Sequence, residues 1–314
     1  MNAAAAVGKG ISGSAWAFGL LVGTGVLWGT IGVVSKLVAD GSSLDAISIT
    51  WLRSAIAGPV CLAAAWLILG PDLFRAPRRV MAAMVAFGGV LILYQWLYLA
   101  AIERIGVSAA TLISLCGAPV IVAVASTFVL REKMTRAIPL ALAGAIAGTI
   151  LLIGRPEAGT GRNTLIGAIL AVGCAAGIAV HVMGLRSLAN KVHPLQSLSI
   201  GFTVGAVLFT PVALIHGVSF NQPMDAWLWL VYLGVVPSTI AYLFYQRGLQ
   251  DVTAAMASIV TMIEPLVAAI LAWFIFDERL GFWGWIGGAL LISSIALLSR
   301  HSIRRSRQSQ QLLA

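Results

Sequence analysis

Residues 106–134 read GVSAATLISLCGAPVIVAVASTFVLREKM, and residues 252–280 read VTAAMASIVTMIEPLVAAILAWFIFDERL. The two stretches align without a gap, so that Pro119 falls on Pro265 and Glu132 falls on Glu278. An apolar composition alone does not place a helix-breaking proline and a charged glutamate in the same register twice. The chain therefore contains an internal duplication, a feature typical of membrane proteins that are built from structural repeats.

The composition predicts that the whole chain is a membrane protein. Only 10% of its 314 residues are charged and 60% are hydrophobic, whereas about a quarter of the residues in soluble domains are charged. A helix needs about 20 apolar residues to cross a hydrocarbon layer about 30 Å thick. We predict an all-α integral membrane protein with ten transmembrane helices, at 17–39, 46–69, 80–102, 106–129, 136–154, 164–185, 194–217, 226–247, 253–276 and 281–299.

Five spans in each half is an odd number, so the second half enters the membrane from the opposite side. The expected fold is two inverted five-helix repeats around a central cavity. We divide the chain into an N-terminal segment, a first repeat, a polar linker, a second repeat and a basic tail, at 1–16, 17–154, 155–163, 164–299 and 300–314. We expect glycines four apart, such as Gly144 and Gly148, to let helices pack closely.

The net charge of +9 does not indicate nucleic-acid binding, because of how it is distributed. With the N-terminus inside, 14 of the 20 Lys and Arg residues lie in cytoplasmic segments and four lie outside. This bias predicts cytoplasmic N- and C-termini, with the basic tail in contact with lipid headgroups. The N-terminus has no signal cleavage pattern, so we interpret the first span as a retained helix. The three cysteines lie within spans and are interpreted as packing residues.

Four ionisable residues lie within predicted spans, where each costs several kcal/mol unless it is paired or functional. Glu264 lies near the middle of the ninth span, and its repeat equivalent is Ala118. It is either a buried structural glutamate or a group that binds an ammonium or carries a proton. Lys36 either extends to the headgroups or holds a carboxylate. Arg53 and His181 each either pair with a structural partner or belong to the binding site.

Polar and aromatic residues form stripes on otherwise apolar helices, a pattern that predicts a cavity-facing surface. The eighth span, the repeat equivalent of the third, carries its stripe just after Pro237. Together with the four ionisable residues, the predicted substrate-binding residues are Trp28, Tyr94, Gln95, Tyr98, Ser114, Tyr242 and Gln246. Tyr98 could alternatively belong to an interfacial aromatic belt.

Two prolines are predicted hinges. Pro119 and Pro265 each remove a backbone donor at the point where the two repeats should meet. The sequence has no nucleotide-binding loop and no metal-ligand motif. We therefore expect no cofactor, no metal and no hydrolysis of ATP. The expected partners are a small-molecule substrate and membrane lipid, with no nucleic acid; a homodimer is an open alternative.

Several of these features recur together in one family. They are Trp28-Gly29 followed by Lys36, Trp51-Leu52-Arg53, Pro119 thirteen residues before Glu132, and Glu264-Pro265 followed by Glu278 and a glycine-rich last helix. The chain resembles the EamA family of the drug/metabolite transporter superfamily, over about residues 17–300. The resemblance implies a basket of ten helices, and export of small metabolites by a bacterial inner-membrane protein. The small four-span drug exporters of this superfamily rely on a Glu in their first helix, which the first span of this chain lacks.

The amino-acid exporters of that family are the branch this chain resembles. We expect a secondary transporter that exports amino acids or related metabolites by alternating access. Glu264 would bind the ammonium group, Lys36 or Arg53 the carboxylate, and the tyrosines the side chain. The alternative is a broad exporter of amphipathic organic cations, which would use Glu264 and cation–π contacts. A membrane-embedded enzyme is a remote alternative.

Overall fold

The computed structural model describes residues 3–154, 162–277 and 281–311, and these residues form helices joined by short connections. No β-strand occurs in these ranges. In chain order the α-helices are α1 (Ala3–Gly41), α2 (Ala46–Leu69), α3 (Arg78–Val129), α4 (Ala137–Ile153), α5 (Arg162–Leu188), α6 (Pro194–His216), α7 (Met224–Val235), α8 (Ala241–Gly248), α9 (Ala254–Val260), α10 (Glu264–Phe276) and α11 (Phe282–Gln311). The fold class predicted from composition, an all-α membrane protein, is confirmed.

Eight helical stretches in the described ranges are long and apolar enough to cross a membrane. One of them, α3, has 52 residues and would measure about 78 Å if it were straight, more than twice the thickness of a hydrocarbon layer. Its backbone leaves the helical region at Gly106, where φ is 75° and ψ is 165°. With α3 divided there and the 17-residue α4 included, the apolar segments correspond to the ten predicted spans. How many cross a bilayer stays a prediction.

Several helices extend beyond the predicted spans, and the division of the chain into segments stays a prediction. Residues 103–105 were expected to be a link between two spans, but the helix continues through them and only Gly106 breaks it. A positive φ costs glycine little because it has no Cβ, so a single residue makes this break. The segment 1–16 was expected to precede the first span, and within it α1 already begins at Ala3; α11 continues into the predicted tail to Gln311. Residues 155–161 of the predicted linker, and Glu278, lie outside the described residues.

Three of the helix ends have clear local causes. The Asp45 side chain accepts a hydrogen bond from the backbone N–H of Ser48 at 2.8 Å and caps the start of α2. Thr253 caps α9 in the same way, through the backbone N–H of Met256. Helix α6 ends at Gly217, whose φ of 81° is left-handed. Such caps satisfy backbone groups that a helix end leaves without partners.

The helices of the two halves pack against one another in a repeated pattern. Helix α2 packs on α6, and α4 packs on α11. Helix α1 contacts α8 and α10, while its counterpart α5 contacts both segments of α3. Glycines permit the closest approaches: a Cβ on Gly88 would lie 2.6 Å from the Gly201 carbonyl, and one on Gly148 would lie 2.7 Å from the Gly287 carbonyl. Close backbone approach of this kind is the main source of helix association in lipid.

Candidate functional site

A cavity of about 260 Å³ lies between helices of both halves. Nine of the eleven side chains predicted for a binding site line it, and so do the two predicted hinge prolines. The nine are Trp28, Arg53, Tyr94, Gln95, Tyr98, Ser114, His181, Tyr242 and Glu264. Residues that are up to 237 positions apart in the chain thus meet around one space. Their role in binding stays a prediction.

Arg53 supplies the positive charge of the cavity wall. It lies in the second turn of α2, and its Nη2 donates a hydrogen bond to Oε1 of Gln95 at 2.6 Å. Its Nε is buried and has no partner among the described residues. A guanidinium has five N–H donors in a planar fork that matches a carboxylate. Arg53 is therefore held through one edge and retains unused donor capacity.

Glu264 supplies the negative charge. It is the first residue of α10 and follows a 3₁₀ turn at Thr261–Ile263, where the chain tightens before Pro265. Within the described part of the chain, its carboxylate has no hydrogen-bond or ion-pair partner. Arg53 and Glu264 line the same cavity but do not approach within 4.0 Å as an ion pair. Among the residues that the structure describes, the cavity wall thus carries one cation and one anion, and the two make no direct contact.

Aromatic rings form another part of the same cavity wall. The Trp28 ring lies 4.9 Å from the Tyr242 ring and 5.2 Å from the Tyr245 ring, between centroids. Its indole Nε1 donates to the Pro237 carbonyl at 3.1 Å. Pro237 lies in a π-helical turn, Val236–Ile240, which rearranges the backbone bonding so that this carbonyl can accept a side-chain donor. The turn therefore fixes the orientation of the tryptophan.

Two tyrosine hydroxyls and a histidine meet on one side of the cavity. The hydroxyl oxygens of Tyr94 and Tyr242 are 3.1 Å apart, which links the first half of the chain to the second. Nδ1 of His181 lies 3.3 Å from the Phe87 carbonyl oxygen. A carbonyl only accepts hydrogen bonds, so Nδ1 carries the hydrogen and Nε2 is the acceptor nitrogen. Nε2 is buried and has no partner among the described residues.

Tyr98 and Ser114 stabilise the wall near the break in α3. The Tyr98 and Thr111 hydroxyls are 2.6 Å apart, on either side of Gly106. Ser114 Oγ donates to the Ala171 carbonyl of α5 at 3.2 Å. The Tyr98 hydroxyl thus has a protein partner within the bundle.

Lys36 and Gln246 do not line this cavity. Nζ of Lys36 lies 4.1 Å from the centroid of the Phe276 ring. Lys36 is eight residues beyond Trp28 on α1, which is about 12 Å further along the helix. Gln246 is buried in another contact, where its Oε1 accepts from Ser197 Oγ at 2.8 Å. The structure therefore leaves Arg53 as the cation in the cavity wall.

The predicted hinge at Pro119 shows no break in this structure. Helix α3 keeps helical backbone angles there and departs from them only at Gly106. Pro265 is the second residue of α10 and follows the 3₁₀ turn after Glu264, as expected where a proline interrupts a helix. Whether either proline acts as a hinge stays a prediction.

Sequence reasoning missed several residues of the wall. Tyr245 lines the cavity and is almost fully buried, and Cys174 and Ile178 line it from α5. Tyr245 is three residues after Tyr242 and therefore on the same helix face, which was a usable signal. Cys174 and Ile178 gave no signal because they are apolar residues in an apolar helix. No group of three or more His, Cys, Asp or Glu side chains is arranged to hold a metal within 3–154, 162–277 and 281–311.

Comparison with known proteins agrees with this architecture. The model of the EamA-like transporter family matches the chain twice, at residues 15–154 and 165–300. A transporter of Bacillus subtilis named YwfM, of uncharacterized function, is 26% identical over 274 residues, covering 87% of this chain and 90% of the relative. A probable terminal-alkyne amino-acid exporter of Streptantibioticus cattleyicolor is 26% identical over 302 residues, covering 95% of this chain and 97% of the relative.

A solved crystal structure shares the fold. It superposes with a TM-score of 0.79 at 20% sequence identity, and the match covers 91% of this chain and 98% of the other. The family match extends over both halves and includes every helix that lines the cavity. The chain belongs to the EamA-like transporter family.

Proposed function

We propose that this transporter exports amino acids or closely related zwitterionic metabolites across the inner membrane of a bacterium by alternating access. The observation that carries the proposal is the pair of opposite charges, Arg53 and Glu264, in the wall of one cavity without direct contact. An amino acid carries one ammonium and one carboxylate. In a low-dielectric cavity both need a counter-charge, because an unpaired buried ion costs several kcal/mol.

The proposed binding mode follows from these positions. Glu264 binds the substrate ammonium, and Arg53, oriented by Gln95, binds the carboxylate. The rings of Trp28 and Tyr242 contact the substrate side chain. The volume of about 260 Å³ is slightly below the range of about 300–1,000 Å³ for pockets that bind drug-sized ligands. This size favours a small metabolite.

The similarity to a probable amino-acid exporter supports the same substrate class. The proposed orientation places both termini in the cytoplasm, because basic residues are enriched in the segments on that side. Transport by alternating access requires that the cavity open to one side at a time.

A second candidate is export of amphipathic organic cations. The observation that favours it is that aromatic rings line the same cavity as Glu264, whose carboxylate has no hydrogen-bond or ion-pair partner among the described residues, since aromatic faces attract cations. Arg53 argues against it, because a guanidinium in the same wall repels a cationic substrate. With Lys36 outside the cavity, Arg53 is the residue that distinguishes the two candidates.

Competition by charge-matched analogues tests the proposal. In counterflow of a labelled amino acid, the unlabelled amino acid should compete at least about tenfold better than its methyl ester or its N-acetyl form, because a charged hydrogen bond contributes about 1.5–3 kcal/mol. Arg53→Met should abolish discrimination against the ester, and Glu264→Gln discrimination against the N-acetyl form.

The controls separate the two candidates. Lys36→Met should keep both preferences, because Lys36 does not line the cavity. Equal competition by the ester and the amino acid in the unmodified protein, with no effect of Arg53→Met, would contradict the amino-acid proposal and support the organic-cation candidate.

A further inference from the structure

One carboxylate joins three segments at the end of the bundle where α5 ends and α6 begins, which we name the α5–α6 end. Glu132 follows α3 and accepts a hydrogen bond from Nε of Arg186 at 3.1 Å, as one half of an ion pair. The same carboxylate accepts from the backbone N–H of Ala254, at 3.0 Å to Oε2 and 3.2 Å to Oε1. Arg186 lies in the last turn of α5, and Ala254 is the first residue of α9. A residue of the first half thus holds two segments of the second.

Burial distinguishes this ion pair from the others at the same end. The side chains of Glu132 and Arg186 are 11% and 24% exposed. Those of Asp72 and Arg75, which pair within a single connection, are 66% and 76% exposed. Exposed pairs contribute little, whereas breaking a largely buried charged contact leaves a desolvated group without a partner. The contact of Glu132 is therefore costly to open unless water reaches it.

A much smaller cavity adjoins the central cavity on the side facing this end. His181 and Tyr242 line the central cavity and also a second cavity of about 20 Å³. The second cavity is bounded by Met84, Leu188 and Ser197, which lie near the ends of their helices. A space of that size holds about one water molecule. This second cavity is therefore too small to hold an amino acid in this conformation.

The contact between Glu132 and Ala254 is connected to the candidate site through one helical segment. Helix α9 continues through the 3₁₀ turn into α10, so Ala254 and Glu264 are ten residues apart on a nearly continuous helix, or about 15 Å. Ser258 and Thr261 line the cavity from the same segment. Displacing the start of α9 therefore displaces the wall that carries Glu264.

We infer that Glu132, Arg186 and the backbone N–H of Ala254 form a clasp that keeps the α5–α6 end closed and positions the α9–α10 segment, and that the clasp opens when the cavity becomes accessible from this end. Glu132 is a positioning residue: it acts on the cavity through α9 and does not line it. The inference rests on the proposed transport, since a clasp that opens needs a cycle of two states. Loosening it should shift the population between those states.

The chain contains its own reporter of access. Cys174 lines the central cavity, so its rate of labelling by a membrane-impermeant maleimide reports which end is open. The parent for the test carries Cys61→Ser and Cys116→Ala, so that Cys174 is the one remaining cysteine. Labelling is measured without substrate, in vesicles of both orientations, to reach Cys174 from each side.

Three variants of that parent distinguish the effect of opening the clasp from a general effect of removing a charge. Glu132→Gln removes the ion pair but keeps an acceptor for Ala254, and Arg186→Gln removes the pair but keeps the Glu132 carboxylate. Arg75→Gln is the control, because it breaks an ion pair within one connection at the same end. In both clasp variants we expect labelling from the α5–α6 side to become at least fivefold faster and labelling from the opposite side to become slower. Arg75→Gln should match the parent.

Parent-like labelling from both sides in Arg186→Gln, which leaves the contact with Ala254 intact, would overturn the inference. Arg186→Gln alone tests the inference if Glu132→Gln does not accumulate in the membrane. Counterflow of amino acids by the parent is measured separately. Its absence would contradict the proposed substrate without changing the labelling result, so the two failures are distinguishable.

Discussion

Arg53 depends on one neighbouring amide for its orientation. Its Nη2 is bound to Gln95 at 2.6 Å, while its buried Nε has no partner in the described part of the chain. Gln95 is itself 9% exposed, so solvent replaces this hydrogen bond poorly. The planar guanidinium is useful for carboxylate binding only in a fixed orientation. Gln95 therefore helps to determine affinity without adding charge.

Removing that amide should weaken substrate binding. Gln95→Leu keeps a similar volume but loses the acceptor for Arg53, so we expect the KM of zwitterion counterflow to rise about tenfold, as for loss of a hydrogen bond to a charged group. The concentration dependence of counterflow in proteoliposomes measures it. Gln222→Leu, which alters a glutamine in an exposed loop contact, should leave the KM unchanged. An unchanged KM in a stable Gln95→Leu protein would contradict this role.

At the residue scale, the sequence was sufficient to identify the polar residues within the predicted spans. It did not indicate the direction in which each side chain points. Glu264 was identified from its depth, and the structure places it in the cavity wall. Lys36 was grouped with it because both are charged within spans, yet Lys36 lies by Phe276, outside the wall. Hydropathy gives an approximate depth. The direction of a side chain depends on how the helix is rotated against its neighbours.

The helices are interrupted where single turns change their hydrogen bonding. In the π-helical turn, the Ser238 and Thr239 hydroxyls donate to the Leu233 and Gly234 carbonyls at 2.8 and 3.0 Å. These bonds satisfy carbonyls that the altered ladder would leave free. Pro119 stays a predicted hinge; in this structure α3 keeps helical backbone angles there and departs from them at Gly106. A proline removes one donor, and neighbouring groups can compensate without a break.

Packing between α4 and α11 should be sensitive to a single methyl group. In Gly148→Ala, the new Cβ would lie 2.7 Å from the Gly287 carbonyl oxygen, so the backbones must separate. We expect a loss of about 1–3 kcal/mol, as for overpacked cores. Thermal unfolding of detergent-solubilised protein measures it. Gly32→Ala is the control, since a Cβ there meets nothing within 4 Å. Equal stability of the two variants would contradict this account of the interface.

At the scale of the molecule, the duplication predicted most of the fold. The family model matches the two halves separately, and the helix contacts repeat between them. The clasp could not be predicted, because it depends on contacts between residues more than 50 positions apart, such as Glu132 with Arg186. The duplicated Glu132 was visible in the sequence, but its partners were not.

The central claim is that the protein binds a zwitterion in this cavity and transports it across the membrane. Counterflow of labelled amino acids in proteoliposomes tests this claim most directly. A panel of labelled amino acids is measured for the unmodified protein and for Glu264→Gln, each with and without an imposed pH gradient. We predict saturable counterflow of zwitterions with a KM that Glu264→Gln raises at least about tenfold, and the response to the gradient reports whether protons are coupled to transport. Flux of organic cations without any flux of amino acids would contradict the claim.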